Sequence, residues 1–306
     1  MSKPIRVIAY GLGAIGRAAA QLVLTKPGMQ LVGAVDPKYA GQDFLGLKVS
    51  DRPAVLFGQV QADAVIHCTS SSFDTCYEQF VEIIRAGFHC VTSCEEAMFP
   101  HYRHHELAGR LDDLCIKKSC AIVGTGVNPG FVMDTLALVL TAACQRVESI
   151  RVLRVVDAGT RREALQRKVG AGITVEEFQQ RVKAGTLRHV GLPESLAFLA
   201  DALGQPVGDV REVIEPVLRP DGRVSGVKQV ATGGALTLEL QMYVGAPNPR
   251  DEIEIAGTPP LKLVLAGGVA GDVATPALLV NSLARLVEAR PGLHTMRTLG
   301  LPYLTP

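Results

Sequence analysis

The sequence carries almost no net charge. Its 31 lysines and arginines stand against 30 acids, leaving +1 at neutral pH, which removes the electrostatic case for nucleic acid or an anionic membrane surface as partner. No uninterrupted apolar run approaches the ~18 residues that a membrane span requires. The seven cysteines, at 68, 76, 90, 94, 115, 120 and 144, are odd in number and never form C-x-x-C. Neither a disulfide framework nor a thiolate zinc centre is therefore indicated. The patterns G-x-S-x-G, H-E-x-x-H and Walker A are absent, as are internal repeats and low-complexity segments. The opening MSKPIRVIAYGLG is too short in its apolar part for a secretory signal. These absences point to a cytoplasmic globular chain, and 306 residues suffice for one large or two ordinary domains.

What is present is concentrated in residues 9–38. Gly11, Gly13 and Gly16 spell G-x-G-x-x-G directly after the apolar run Ile5, Val7, Ile8, Ala9. A helical pattern with Ala18, Leu22 and Val23 follows, then a second strand, LVGAV, ending on Asp36. Gly11 permits a tight turn, Gly13 leaves room for a pyrophosphate, and Gly16 lets helix and strand approach. Phosphates then meet the first N–H groups of the helix, so Leu12, Ala14 and Ile15 join the three glycines as candidate cofactor contacts. Asp36 lies where an acid accepts hydrogen bonds from the adenosine ribose. That acid favours NAD(H); Lys38, two residues on, leaves room for NADP(H) to be tolerated.

Strand–helix alternation continues to about residue 143. ADAVIHCTSSS runs as a strand into a hydroxyl-rich loop, FDTCYEQFVEIIRAG reads as a helix, and HCVTSCEE reads as a strand ending in Glu95 and Glu96. Pro100 opens a helix to about Leu114, CAIVGTG is the last strand, and Asn128-Pro129 reads as cap and first turn of the helix FVMDTLALVLTAAC. Ligands of doubly wound sheets lie beyond the carboxyl ends of the strands. Four loops should converge there: Gly11–Gly16, Thr69–Ser72, Ser93–Glu96 and Gly124–Asn128. After Cys144, strands follow one another with a single helical insert, which suggests a mostly antiparallel sheet. The expected fold is α/β: a Rossmann doubly wound parallel sheet over 1–143, joined by a closing segment 274–306, and an α+β second domain over 144–273.

The converging loops supply the candidate chemistry. Glu95 and Glu96, at the end of a strand, should point in opposite directions, so one of them faces the cofactor as acid or base. Thr69, Ser70 and Ser71 are candidates for phosphate or nicotinamide ribose, and also for an ordinary serine-rich turn. Asn128 caps a helix whatever else it binds. Arg161, Arg162 and Lys168 suit a substrate carboxylate or phosphate, or a solvated basic stretch. His101 and His105 lack a third ligand and read as a wet helix face, so no metal is expected.

The run GLGAIG…AVD, HCTSS, VTSCEEAMFP, VGTGVNPGFVMDTL, RREALQRKVGAG and GDVATPALLVNSLARLVEARPGL resembles the 2,4-diaminopentanoate dehydrogenases and their relatives, the native amine dehydrogenases. More distant resemblances are to dihydrodipicolinate reductase and diaminopimelate dehydrogenase, which pair a Rossmann domain with a sheet-based dimerisation domain. The E-x-H-H and K-x-D-x-P-S-G-T segments of dihydrodipicolinate reductase are missing. The resemblance implies reversible deamination of a small amine or diamine, with ketone and ammonia as the reverse substrates. It also implies a homodimer and a catalytic glutamate in C-E-E, carried jointly to Glu95 and Glu96. A cyclic-imine or semialdehyde reductase, and a non-catalytic NAD(H) sensor, are the rival readings.

Overall fold

The structure, a computed structural model, describes residues 3–160, 163–206 and 208–304. Two compact units divide the chain, one running to Gly130 and resuming at Ala270, the other Phe131–Val269. The boundary falls ahead of the expected position 143. The reason is local: the helix after Pro129 starts late and packs on α-helical neighbours of the second unit (α5 and α8, below).

The first unit alternates strands and helices in chain order: β1 (Ile5–Tyr10), α1 (Ala14–Leu24), β2 (Met29–Val35), β3 (Asp43–Phe44), β4 (Leu47–Ser50), α2 (Pro53–Gln59), β5 (Ala64–His67), α3 (Phe73–Arg85), β6 (His89–Thr92), α4 (His105–Lys118) and β7 (Ala121–Gly124). The second holds α5 (Thr135–Leu140), β8 (Arg146–Asp157), α6 (Glu163–Lys168), α7 (Val175–Lys183), α8 (Leu192–Ala202), β9 (Arg211–Leu218), β10 (Val224–Gly233), β11 (Leu236–Tyr243), β12 (Arg250–Thr258) and β13 (Leu261–Ala266). The chain then returns to the first unit as α9 (Gly271–Val287), β14 (Gly292–His294) and α10 (Met296–Leu299).

In the first unit the sheet order is β14-β7-β6-β5-β1-β2-β4-β3, parallel throughout except for the β3–β4 pair. The two-residue period of β1 explains why it is apolar on both faces. Val7 and Ala9 join a core with Ala19, Ala20 and the α9 residues Leu279, Val280, Leu283 and Leu286. Ile8 and Tyr10 join the opposite core with Phe73, Phe80 and Ile84 of α3 and Leu111 of α4. The short edge strands β3 and β4 and helix α2 have no counterpart in the sequence expectations; they are too short to carry a readable period.

The second unit is a six-stranded sheet, β13-β12-β8-β11-β10-β9, antiparallel except where β11 pairs with β8. The expected helical insert, residues 174–204, divides into α7 and α8, and α6 precedes it. A buried ion pair sits on this sheet: Arg154 Nη1 donates to Asp251 Oδ1 at 2.7 Å. The same two side chains hold the main chain of Val269, whose N–H donates to Asp251 Oδ2 and whose carbonyl accepts from Arg154 Nη2. Among the described residues, no helix is long and apolar enough to cross a membrane.

Candidate active site

The glycine loop between β1 and α1 has the geometry that its sequence requires. Gly11 has φ +92°, and a Cβ there would lie 2.4 Å from the Cys68 carbonyl oxygen. A Cβ on Gly16 would lie 1.8 Å from the Gly11 carbonyl oxygen. Both positions exclude any side chain. Gly13 differs: a Cβ there meets nothing within 4 Å, and Gly13 and Ala14 are exposed. This is the open cradle that a pyrophosphate fills. The helix ladder begins with Arg17 N–H to the Gly13 carbonyl at 2.9 Å, so the N–H groups of Ala14 and Ile15 precede it. Leu12 is fully buried, and its N–H is already donated to Asp36 Oδ2 at 2.7 Å. Leu12 therefore shapes the loop. Asp36 Oδ1 accepts the Lys38 N–H at 2.9 Å and caps the short turn Pro37–Tyr39.

The hydroxyl-rich loop is fastened from beneath. His67, fully buried at the end of β5, places Nδ1 2.9 Å from Thr92 Oγ1 and Nε2 2.7 Å from Gln79 Oε1. Thr69 Oγ1 completes the cluster, 3.0 Å from His67 Nε2 and 2.6 Å from Gln79 Oε1. Burial holds His67 down to about 4, so the ring is neutral at ordinary pH. Ser70 Oγ accepts the Ser72 N–H, and Ser72, not one of the expected contacts, caps α3. The Ser71 carbonyl accepts the Glu96 N–H at 3.2 Å and the Cys94 thiol at 3.3 Å.

The expected strand through Glu96 ends at Thr92 instead. Glu95 and Glu96 lie in a tight helical turn, Glu95–Met98, so strand alternation does not govern them. The two differ all the same. Glu96 is buried, with Oε2 accepting the Phe73 N–H at 2.8 Å and lying 3.1 Å from His104 Nε2. His104 stacks on Phe73 and places Nδ1 3.1 Å from Asp74. Glu95 is half-buried, and its charge is felt at Cys68, whose carbonyl packs against Gly11: burial pushes the Cys68 thiol up to about 12, and the Glu95 carboxylate adds to the shift.

After β7, the Thr125 N–H bonds to the Thr92 carbonyl at 2.9 Å, which ties the fourth loop to the end of β6. Asn128-Pro129 does not open a helix. Gly130, with φ +121°, leaves the helical region, and α5 starts only at Thr135, capped by the Asp134 side chain. Asn128 instead buries both its amide nitrogen and its carbonyl oxygen without a hydrogen-bond partner, as Thr125 buries its hydroxyl. Buried polar atoms of this kind are costly unless a ligand meets them. The open cradle at Gly13 and these unsatisfied groups fit a dinucleotide.

Of the remaining candidates, Arg161 and Arg162 lie outside the described residues. Lys168 is exposed on the last turn of α6 and borders an apolar pocket within the second unit, shared with Leu165, Val169, Leu187 and Met242. His101 and His105 are exposed, 5.9 Å apart between ring centroids, and no group of three or more histidine, cysteine or acidic side chains among the described residues is arranged to hold a metal ion. His104, Gln79 and Arg17 escaped the sequence reading. For Arg17 a signal existed: a cation in a helix's first turn, where the dipole disfavours it.

A parallel sheet with a glycine-loop nucleotide cradle, joined to a second sheet-based unit, defines a nucleotide-dependent oxidoreductase of the two-unit Rossmann class. In sequence, residues 131–305 match the family described as the 2,4-diaminopentanoate dehydrogenase C-terminal domain. The chain is 32% identical to the 2,4-diaminopentanoate dehydrogenase of Acetoanaerobium sticklandii, over 97% of this chain and 94% of that one. It is 22% identical to an amine dehydrogenase of Streptomyces virginiae, over 95% and 94% respectively. In structure it superposes on an amine dehydrogenase from Mycobacterium smegmatis with a TM-score of 0.85 at 25% identity, covering 98% of this chain and 97% of that one. Its similarity to dihydrodipicolinate reductase from Paenisporosarcina sp. TG-14 (TM-score 0.59, 13% identity, 96% and 98% covered) is one of fold. The chain belongs to the 2,4-diaminopentanoate dehydrogenase family, and its class is that of nicotinamide-dependent amine dehydrogenases.

Proposed function

We propose that this chain interconverts a small amine or diamine with the corresponding ketone and ammonia, with Glu95 as its acid/base and NAD(H) as the preferred cofactor. The observation that carries the Glu95 assignment is the commitment of Glu96 elsewhere: it is buried against the Phe73 N–H and His104. Glu95 takes the half-buried position, and its charge reaches Cys68, whose carbonyl packs against Gly11. When bound, the nicotinamide supplies hydride transfer at its C4. In deamination, the Glu95 carboxylate takes a proton from the substrate ammonium, freeing the nitrogen lone pair. In the amine-forming direction ketone and ammonia condense to the substrate iminium with loss of water and the same carboxylate stabilises that cation; in deamination water adds back to the iminium and releases ketone and ammonia.

Gly11, Gly13 and Gly16, with the N–H groups of Ala14 and Ile15, would hold the pyrophosphate. Thr69, Ser70 and Ser71 border the nicotinamide ribose, and Asn128 offers its unsatisfied amide to the nicotinamide end. Asp36 repels a 2′-phosphate and so favours NAD(H), with NADP(H) tolerated. The proposed assembly is a homodimer built through the second unit; light scattering that returned a 32.5 kDa monomer at micromolar concentration would count against it.

The deciding experiment follows NADH oxidation with a panel of small ketones and amino-ketones, with and without ammonium. Strict ammonium dependence supports the amine reading. Consumption of NADH without ammonium marks a carbonyl or cyclic-imine reductase, and no turnover with intact NADH binding marks a sensor.

A further inference from the structure

We infer that Arg17 is the residue through which the adenosine end of this site holds the 2′-phosphate of NADP(H), so that the protein binds both dinucleotides. The inference rests on the nucleotide reading of the Gly11–Gly16 loop and goes beyond it. Arg17 follows the last glycine of that loop, on the first turn of α1. Its Nε donates to the Leu12 carbonyl at 2.9 Å, while the Leu12 N–H donates to Asp36 Oδ2 at 2.7 Å. One residue thus ties together the cation and the carboxylate that flank the expected ribose position.

The guanidinium is also held from the side. Its central carbon lies 4.3 Å from the Tyr39 ring centroid and 5.1 Å from that of Phe44, within cation–π range for both. The two rings and the Nε bond confine the guanidinium, and that bond leaves its Nη groups as donors. Among the described residues Arg17 forms no ion pair, with Asp36 or any other acid. A cation in this turn opposes the helix dipole, an unfavourable placement that a bound anion relieves.

The charge balance agrees. Each Asp36 oxygen already accepts one main-chain N–H, from Leu12 and from Lys38, which lowers its repulsion of a neighbouring phosphate. Lys38 Nζ sits 5.6 Å from the same Tyr39 ring. Two cations and one carboxylate therefore surround the ribose position. Of the two cations, Arg17 is held in place and presents the planar fork that matches phosphate oxygens in pairs, whereas Lys38 is exposed and acts as a point charge. Arg17, rather than Lys38, is the determinant.

The test measures equilibrium binding of NADH and NADPH to the purified full chain by nucleotide fluorescence, with 2′,5′-ADP and 5′-AMP as probes of the phosphate alone. The wild type should bind NADH and NADPH within roughly tenfold of each other. Arg17→Met should weaken NADPH and 2′,5′-ADP by roughly tenfold to a hundredfold, as for loss of a hydrogen bond to a charged group, while NADH and 5′-AMP stay within about threefold. Arg17→Lys should recover part of the loss, and Lys38→Met should cost NADPH less than Arg17→Met. Equal weakening of both dinucleotides, or no change in either, overturns the inference while leaving the amine dehydrogenase reading intact. A wild type that binds neither removes the dinucleotide reading itself.

Discussion

Glu96 Oε2 and His104 Nε2 lie 3.1 Å apart beneath the site, and the same oxygen accepts the Phe73 N–H at the start of α3. This pair makes Glu96 an anchor, and under the proposed assignment Glu95 is the reagent. Glu95→Gln should leave NADH binding intact and lower kcat by ~10²–10⁴, the usual cost of a lost proton-transfer group. Glu96→Gln should instead reduce stability, by about 1–3 kcal/mol for a disturbed buried charge-assisted network, with a smaller fall in kcat. Denaturant titration beside steady-state kinetics checks both. The opposite pattern, with Glu96→Gln folded and inactive, would reverse the assignment.

The glycine loop gives a second separation. Gly16→Ala forces a methyl to within 1.8 Å of the Gly11 carbonyl oxygen, so the loop or α1 must shift. That variant should lose stability and nucleotide binding together. Gly13→Ala places its methyl in open space and should fold with a wild-type Tm while binding NADH more weakly. A Gly13→Ala protein with undiminished affinity would place the pyrophosphate elsewhere.

His67 predicts an acid limit. Burial lowers its pKa to about 4 from an ordinary 6.5. The unfolded chain therefore binds the extra proton first, and stability falls as pH drops from about 6.5 towards 4. The full span corresponds to about 3 kcal/mol. Tm measured across this window should slope downward with acid, and His67→Gln should flatten the slope. Because the folded ring stays neutral until pH nears 4, its hydrogen bond to Thr69, and with it NADH affinity, should hold through the same window.

In the second unit the burden lies on charge. Arg154→Met leaves Asp251, 1% exposed, without its cation, and removing one partner of a buried pair costs about 3–5 kcal/mol. Arg154→Met with Asp251→Leu should recover much of that loss. Chemical denaturation of the three variants reads the coupling directly.

The sequence shows how far local chemistry reaches. The glycine loop, the acid closing β2 and the succession of strands after Cys144 were legible, because each depends on spacing within a few residues. The glutamate turn was not. Its form depends on the Phe73 N–H and on His104, contacts that only the folded sheet brings together. Asn128-Pro129 misled for a related reason: the dipeptide has the composition of a helix start, but Gly130 leaves the helical region and Asp134 makes the cap. The parallel pairing of β11 with β8 was likewise hidden, since strand patterns carry no record of direction.

The first unit takes its core from both ends of the chain. Leu279, Val280, Leu283 and Leu286 of α9 pack with Val7, Ala19 and Ala20, all fully buried, and each of the leucine and valine side chains contributes roughly 1.5–3 kcal/mol when removed from water. The segment up to Gly130 carries the whole glycine loop but lacks the helix that covers this face of the sheet. During synthesis the apolar face stays bare until the intervening unit has been made and α9 has cleared the exit tunnel. Maturation of the nucleotide cradle thus waits on a helix that follows the whole second unit in chain order.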